Sequence, residues 1–246
     1  MNRVPWIRRI AALASLGDET RRKLFDYVAA AEDAVGREHA AGALGLARST
    51  ASFHLDRLVQ DGLLAVEFRK LGGREGPGSG RPAKLYRAAV QEVAASVPDR
   101  NYDLAAELLL AAVEASAADG IPAREALLRS AYARGETAGG AAGGAAGEAA
   151  GAAAGAAAEN FAELLAAEGY RPESDGAGGL VLLNCPFHRL AAGHAGVVCA
   201  MNGAFLNGVA AGCGMPPDRI EALDLDDLRA SGAAQRGQCC ARIKGL

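Results

Sequence analysis

The sequence predicts an α+β protein with two modules that are joined by a helical region. Three observations indicate this division. The first 90 residues carry a net charge of +5 and the rest of the 246-residue chain carries −8. Within the basic part, two short helical patterns precede two strand patterns that enclose a glycine-rich loop. All five cysteines lie in the last quarter of the chain. We expect the modules to span 1–90, 91–158 and 159–246, with the middle one as the helical region.

Length and composition favour a cytoplasmic protein of two domains over a membrane or secreted protein. The length suits two ordinary domains, and 50% of the residues are apolar although only 5% are aromatic. No apolar run reaches the ~18–20 residues that a membrane span needs, and the opening residues lack the apolar stretch of a secretion signal. We therefore expect a cytoplasmic protein with no membrane partner. In that reducing compartment, an odd set of clustered cysteines favours ligands or redox-active thiols over disulfides.

The basic module begins with an interrupted helical region, and a pair of shorter helices joined by a turn follows it. Residues 7–31 are helical in pattern, with an interruption at Gly17 and Asp18, and Asp18 is a good N-cap for the helix that follows. A short helix is predicted from Arg37 to Leu44, and a second one from about Arg48 to Asp61 after a turn at Gly45–Leu46. Gly62 ends the second helix as a left-handed cap.

The second helix of the pair carries short polar and basic side chains. In a helix–turn–helix, the N-terminal part of this helix enters the major groove, where arginine binds guanine or phosphate. The candidate DNA-binding residues are Arg48, Ser49, Thr50, Ser52, His54 and Arg57. A solvated surface helix is the alternative interpretation of the same pattern.

Two strands and a basic loop follow this helix. Leu63–Phe68 and Ala83–Arg87 have strand patterns and enclose a glycine-rich segment, which predicts a β-hairpin wing; a flexible loop is the alternative. The wing's cations can contact phosphates, which gives affinity rather than sequence preference. They are Arg69, Lys70, Arg74, Arg81 and Lys84. The complete pattern predicts a winged helix-turn-helix domain whose partner is a double-stranded DNA operator.

The middle and the end of the chain contain weaker patterns. Residues 96–119 predict an apolar helix that supports either dimerisation or the core of one subunit. Residues 135–158 are almost all alanine and glycine, and because glycine weakens a helix by about 1 kcal/mol, we expect a frayed helix or spacer that contributes little binding energy. A helix is expected over 160–168, and strands near 179–184, 220–225 and 239–243.

A run of sulfur and imidazole side chains begins at residue 185. Pro186 suits the first turn of a helix, with Asn184 or Cys185 as its cap. The helix N-terminus would then favour the thiolate form of Cys185, which is the form that binds metal. His188 lies three residues further along and can share a helix face with Cys185.

The spacing of the later cysteines requires the chain to fold back. Cys199 follows Cys185 by fourteen residues, which is roughly 21 Å on a straight helix, so we expect a reversal at Gly193 or Gly196. Cys185 and Cys199 can then converge with Cys239 or Cys240. Vicinal residues in a strand face opposite sides, so we expect only one of this pair to join them.

Two further residues are open candidates for this site. Cys213 is either a fourth ligand, a redox-active thiol or a small buried hydrophobe. His194 is either a fourth ligand or an ordinary surface histidine. His39 lies in the basic module and is not expected to join the site.

A family resemblance follows from these motifs. Residues 12–87, with the run ARSTASFHLDRLVQDGLL and the wing that ends GPGSGRPAKLYR, resemble the ArsR-type winged-helix regulators of the SufR-like group. The tail is similar too, with NCPFHRLAAGH, VVC, FLNG and a terminal CCARI. The resemblance implies a homodimeric transcriptional regulator of the repressor type that holds a [4Fe-4S] or [2Fe-2S] iron–sulfur cluster on cysteine thiolates. Cys185, Cys199 and Cys240 match the pattern of this group best.

Two other functions stay open. The same DNA-binding module could belong to a zinc-bound regulator or to a thiol redox switch, since zinc also binds cysteine and histidine. A cysteine-dependent reductase is the alternative from another class. The chain contains neither a CxxC pair nor a glycine-rich nucleotide motif, so we do not expect an enzyme.

Overall fold

A computed structural model describes residues 3–69, 82–146, 154–216, 218–232, 235 and 237–245. It mixes helix and sheet, with 56% of the residues helical and 12% in strands, as the α+β prediction requires. The chain divides into two compact units. One comprises Val4–Ala95, and the other comprises Ser96–Leu246 together with Met1–Arg3.

Four helices and a small sheet form the Val4–Ala95 unit. The helices are α1 (Trp6–Ser15), α2 (Glu19–Ala29), α3 (Arg37–Ala43) and α4 (Arg48–Gln60). The predicted N-cap is confirmed, because the Asp18 carboxylate accepts a hydrogen bond of 2.9 Å from the backbone N–H of Arg21. Gly62 has a φ of 78°, the left-handed conformation expected where α4 ends.

The sheet of this unit has the strand order β1-β3-β2, and all pairs are antiparallel. Its strands are β1 (Val35–Gly36), β2 (Leu64–Arg69) and β3 (Ala83–Ala88). Leu24 of α2, Leu55 and Leu58 of α4 and Tyr86 of β3 are fully buried and form the centre of its core. The two predicted strands are confirmed, whereas the predicted wing at residues 70–81 lies outside the described residues.

The second unit packs helices against a four-stranded antiparallel sheet of order β4-β5-β7-β6. Phe161, Phe187, Phe205 and Leu182 are among its fully buried side chains. Its elements are α5 (Tyr102–Asp119), α6 (Ala123–Ala146), α7 (Ala154–Ala167), β4 (Pro172–Ser174), β5 (Leu180–Leu182), α8 (His188–Gly212), β6 (Ile220–Ala222), α9 (Leu225–Ala230) and β7 (Ala241–Ile243).

Helices α6 and α8 approach each other along a seam of four glycines. Gly135 and Gly139 of α6 face α8, while Gly208 and Gly212 of α8 face α6. A Cβ atom at any of these positions would overlap backbone atoms of the opposite helix. Because glycine has no Cβ, it alone permits this approach. The prediction of a frayed helix or spacer is therefore wrong for residues 135–146, whose four-residue glycine spacing creates a packing face.

Helix α8 differs from the prediction at its beginning. It starts at His188, so Pro186 precedes it, and its N-cap residue Phe187 makes no side-chain capping bond. Neither Asn184 nor Cys185 caps the helix as predicted. The Asn184 amide instead donates hydrogen bonds to the carbonyl oxygens of Asp99 (2.7 Å) and Gly169 (2.6 Å), which join two loops.

The predicted chain reversal is a kink within α8. Residues 192–194 are non-helical, and Gly193 has a φ of 96°. Gly196 lies in the regular helix beyond this kink, so it takes no part in the reversal. Among the described helices, only α8 meets the length and composition of a membrane span, and 44% of its most apolar window is buried inside the protein. Length and composition alone are weak evidence for such a span.

Candidate functional site

The second unit brings four cysteines from three chain segments together. Cys185 lies just beyond β5, Cys199 lies on α8, and Cys239 and Cys240 lie just before β7. Because β5 and β7 pair antiparallel, the end of one strand lies beside the start of the other. The backbone N–H of Cys239 continues this pairing with a 2.8 Å hydrogen bond to the carbonyl oxygen of Leu182.

The four thiols lie in the order Cys185, Cys239, Cys240 and Cys199, each near enough to the next to shift its pKa, and we call this set the thiol row. Cys185 and Cys239 are buried, Cys199 and Cys240 are partly exposed, and all are free thiols. Both vicinal cysteines lie in the thiol row, and the expectation that only one of them binds an inorganic group stays a prediction. Both precede the first residue of β7, so the alternation of a strand does not apply to them.

Hydrogen bonding divides the thiol row into donors and acceptors. Hydrogen bonds from Cys199 and then from Cys239 lower the pKa of Cys240 to about 3. The one proton of Cys239 can instead be donated to Cys185, which lowers the pKa of Cys185 in spite of burial. The pKa values of the donors Cys199 and Cys239 are raised, because each shares its proton with neighbouring sulfur. Since the groups are coupled, proton loss is a property of the row as a whole.

A buried polar pair supports the row from the protein side. The Asn202 amide Nδ2 donates to Cys239 Sγ at 3.3 Å and lies 3.9 Å from Cys240 Sγ. The Tyr170 hydroxyl donates to Asn202 Oδ1 at 2.5 Å. Burial raises the pKa of Tyr170 well above its usual value, so the phenol keeps its proton. The sequence analysis missed both residues, although Asn202 lies one helical turn after Cys199.

A cavity of about 760 Å³ adjoins the thiol row. Cys185, Cys199 and Cys240 line it, whereas Cys239 lies behind them. Small residues of α8 form much of one wall, and the polar lining groups are His188, Asn207, Asp224, Asp226 and Gln238. The cavity gives three of the four sulfur atoms access to a space larger than a single ion needs.

The donor chemistry of the thiol row fits a sulfur-ligated inorganic group. Four cysteine thiolates hold [2Fe-2S] and [4Fe-4S] clusters, and the same set holds structural zinc. Within the described residues, no three His, Cys, Asp or Glu side chains are already arranged as a shell around one ion. The row would therefore have to open for an inorganic group to bind, and the adjoining cavity provides space for this change.

The other three predicted ligands lie at different distances from the cavity. His188 lines the cavity, and its backbone N–H donates to the carbonyl oxygen of Cys185 at 3.2 Å. His194 is exposed within the kink of α8 and is not part of the cavity lining. Cys213 lies at the far end of α8, about 21 Å of helix from Cys199, and its thiol faces the Gly139 carbonyl oxygen at 3.7 Å. Burial raises the pKa of Cys213, which suits a packed thiol.

In the first unit, α4 presents an exposed face of mixed polarity. Arg48, Ser49, Thr50 and Arg57 are exposed, as predicted, and Ser52 is half-buried. His54 differs, because its Nδ1 atom is buried and has no hydrogen-bond partner among the described residues. His54 as a whole is half-buried, as Ser52 is, and its role in DNA binding stays a prediction.

Phe53 is the residue of this face that the sequence analysis missed. Its side chain is 66% exposed, and its ring packs edge-on against His54 with centroids 5.2 Å apart. Ser49 and Arg57 lie one turn before and after it on the same face. An exposed, fixed phenyl ring is a suitable contact for the methyl group of thymine.

The described cations near this face are paired with carboxylates. Arg48 binds Glu38 (2.8 Å), Arg57 binds Asp61 (3.1 Å), Arg69 binds Glu67 (2.6 Å), and Lys84 binds Asp56 (2.5 Å). Exposed pairs of this kind contribute about 0–1 kcal/mol, so a phosphate can replace the carboxylate at little cost. Lys70, Arg74 and Arg81 lie outside the described residues.

Comparison of the chain with protein-family models, with curated proteins and with solved structures gave no match.

Proposed function

We propose that this protein is a DNA-binding transcriptional repressor whose affinity for its operator depends on an iron–sulfur cluster. Cys185, Cys199, Cys239 and Cys240 would hold the cluster, and α4 with the β2–β3 hairpin would bind DNA. We place it in the cytoplasm as a homodimer. The exposed apolar side chains Leu109, Leu110 and Val113 of α5 are compatible with an interface between subunits.

The observation that carries this proposal is the thiol row. Residues as far apart as 185 and 240 meet in one set of thiols beside a cavity. Soft thiolate ligands select iron–sulfur clusters or zinc over hard cations. Cysteines that only fill space in a core would not need to converge from distant parts of the chain. They would also not need a hydrogen bond from the Asn202 amide.

The DNA-binding half of the proposal depends on α3, α4 and the adjoining sheet. A short helix, a turn and a second helix with an exposed, partly basic face correspond to the arrangement that enters the major groove. Arg48 and Arg57 are exposed and only weakly paired, so either can exchange its carboxylate for a base edge or a phosphate.

The role of each part follows from its chemistry. When bound, the cluster supplies iron–sulfur bonds whose stability depends on oxidant and on iron supply. The four thiols hold it, Asn202 donates a hydrogen bond to the sulfur atoms, and the cavity gives small molecules a route to the ligands. Loss of the cluster frees the thiol row and changes the affinity of the protein for its operator.

Anaerobic isolation tests the cluster. The full chain should contain iron and inorganic sulfide and should absorb visible light, and air should remove this absorbance and change operator binding. The operator can be selected from a random pool of duplex DNA. A colourless, iron-free protein whose operator binding ignores oxidant contradicts the proposal.

Substitution in α4 tests the DNA-binding face separately. Arg48→Ala or Arg57→Ala should weaken operator binding by about 1–3 kcal/mol if the side chain contacts a base. A phosphate contact would instead weaken binding to all sequences and reduce the dependence on salt. Binding that neither substitution changes would show that α4 is not the recognition helix.

A zinc-bound regulator or a thiol redox switch is the second candidate. Four thiolates also form a structural zinc site, and metal analysis of the isolated protein separates zinc from iron. The contacts Cys185–Cys239 and Cys199–Cys240 favour the switch, because each pair could form a disulfide. In this step two S–H bonds and the O–O bond of one peroxide molecule break, one S–S bond forms, and the two protons and two electrons from the thiols convert the peroxide to two waters. Mass spectrometry of peroxide-treated protein would detect the loss of two hydrogens for each disulfide formed.

A further inference from the structure

We propose that Asn202, held in place by Tyr170, is a positioning residue that sets the reduction potential of the inorganic group bound by the thiol row. This inference rests on the proposed metal centre and adds two residues to it. It is based on a buried chain of hydrogen bonds, Tyr170 to Asn202 to Cys239 and Cys240.

The orientation of the Asn202 amide follows from its neighbours. Metal-bound cysteine sulfur can only accept a hydrogen bond, so the amide NH₂ group must face Cys239 and Cys240. The amide oxygen must then face a donor, and the Tyr170 hydroxyl supplies one at 2.5 Å. Tyr170 therefore acts through Asn202 by preventing the amide from rotating.

Burial makes this arrangement costly unless every polar group is satisfied. Asn202 is 1% exposed and Tyr170 is 4% exposed, and both lie among core residues of the second unit. An apolar pair would fill the same space without needing hydrogen bonds. The pair is thus better explained by its action on sulfur than by packing.

Hydrogen bonds to ligand sulfur change the electron affinity of the group. They draw electron density from the thiolates, which stabilises the reduced, more negatively charged state. Removal of the Asn202 amide should therefore shift the reduction potential to more negative values. Removal of the Tyr170 hydroxyl should produce a smaller shift in the same direction.

Redox titration of the anaerobically reconstituted full chain tests this inference. At the wild-type midpoint potential, Asn202→Ala should show about a tenfold smaller ratio of reduced to oxidised protein, or about 59 mV for a one-electron couple. Tyr170→Phe should shift less, and adding it to Asn202→Ala should have no further effect. Asn160→Ala is the control, because Asn160 is exposed on α7 and does not line the cavity.

Specific results would overturn the inference. It is wrong if Asn202→Ala keeps the wild-type potential, if Asn160→Ala shifts it equally, or if the effects of Asn202→Ala and Tyr170→Phe add. If Asn202→Ala does not fold, the double variant Asn202→Leu with Tyr170→Phe replaces both polar groups together. That variant must show the same negative shift, and a wild-type potential in it also refutes the inference.

A cobalt probe separates this inference from the proposed cluster. If the wild-type chain forms no iron–sulfur cluster, the proposed function fails, and Co²⁺ bound to the thiol row becomes the probe. The sulfur-to-cobalt charge-transfer band should then move to lower energy in Asn202→Ala and stay unchanged in Asn160→Ala. An unmoved band refutes the role of Asn202, and a chain that binds neither iron nor cobalt refutes both proposals.

Discussion

Adjacent glycines in α6 should respond in opposite directions to the same substitution. Gly139 faces α8, and a Cβ atom there would overlap the carbonyl oxygen of Val209 and crowd the backbone nitrogen of Cys213. Gly140 is exposed, and a Cβ atom there would meet nothing within 4 Å. Gly139→Ala and Gly140→Ala therefore form a matched pair of variants in one helix.

The magnitude follows from two opposing effects. Alanine stabilises a helix by about 1 kcal/mol relative to glycine, so Gly140→Ala should be stabilised by up to that amount. At Gly139 the overlapping atoms belong to the backbone and cannot rotate away, so the cost should approach the upper end of overpacking, about 3 kcal/mol. The net loss for Gly139→Ala is then about 2 kcal/mol, or a melting temperature lower by about 4–8 °C.

Thermal and urea unfolding followed by circular dichroism measure this difference. The only tryptophan, Trp6, lies in α1 of the other unit, so its fluorescence provides an internal control. We expect the fluorescence transition to stay unchanged in both variants. Equal stability of Gly139→Ala and Gly140→Ala would show that α6 and α8 do not pack through the glycine seam.

Three further predictions concern the thiols, the exposed face of α4 and acid stability. Cys199→Ala should abolish the binding of iron by the anaerobic protein, whereas Cys213→Ala should retain it, as measured by iron and sulfide analysis. Phe53→Ala should lose about 1 kcal/mol of operator affinity, and replacing thymine by uracil in the operator should weaken the wild-type protein but not this variant, in fluorescence anisotropy assays. Burial raises the pKa of Asp56, but hydrogen bonds from Lys84 and Tyr86 outweigh it and hold the pKa below its usual value. The resulting stabilisation should be complete above about pH 4 and lost as the pH falls further, so Asp56→Asn should flatten the acid limb of Trp6-monitored unfolding.

The first unit could be predicted in detail because its signals are local. Asp18 begins α2 and Gly62 ends α4 through contacts within a few residues, and the helix and strand boundaries fall within a residue or two of the expected positions. The identity of the exposed side chains was harder to predict. His54 is half-buried whereas its neighbour Phe53 is 66% exposed, and an apolar side chain gives no signal in the sequence that it lies on the exposed face.

The second unit depends on contacts between distant segments. The alanine and glycine tract has a weak helical pattern by itself, and its packing role exists only beside Gly208 and Gly212. The convergence of Cys185 and Cys199 could be inferred from spacing, but the joint arrival of Cys239 and Cys240 could not, because it depends on where β7 begins. No pattern in the sequence marked Asn202 as part of the site, apart from its position one helical turn after Cys199.

The position of β7 has a consequence for biosynthesis. This strand comes after every other described element along the chain, yet it lies inside the sheet between β5 and β6. While the ribosome is still making residues 239–243, the sheet lacks an interior strand and two of the four thiols of the thiol row are missing. If the proposed cluster binds there, its complete ligand set exists only after this segment has emerged.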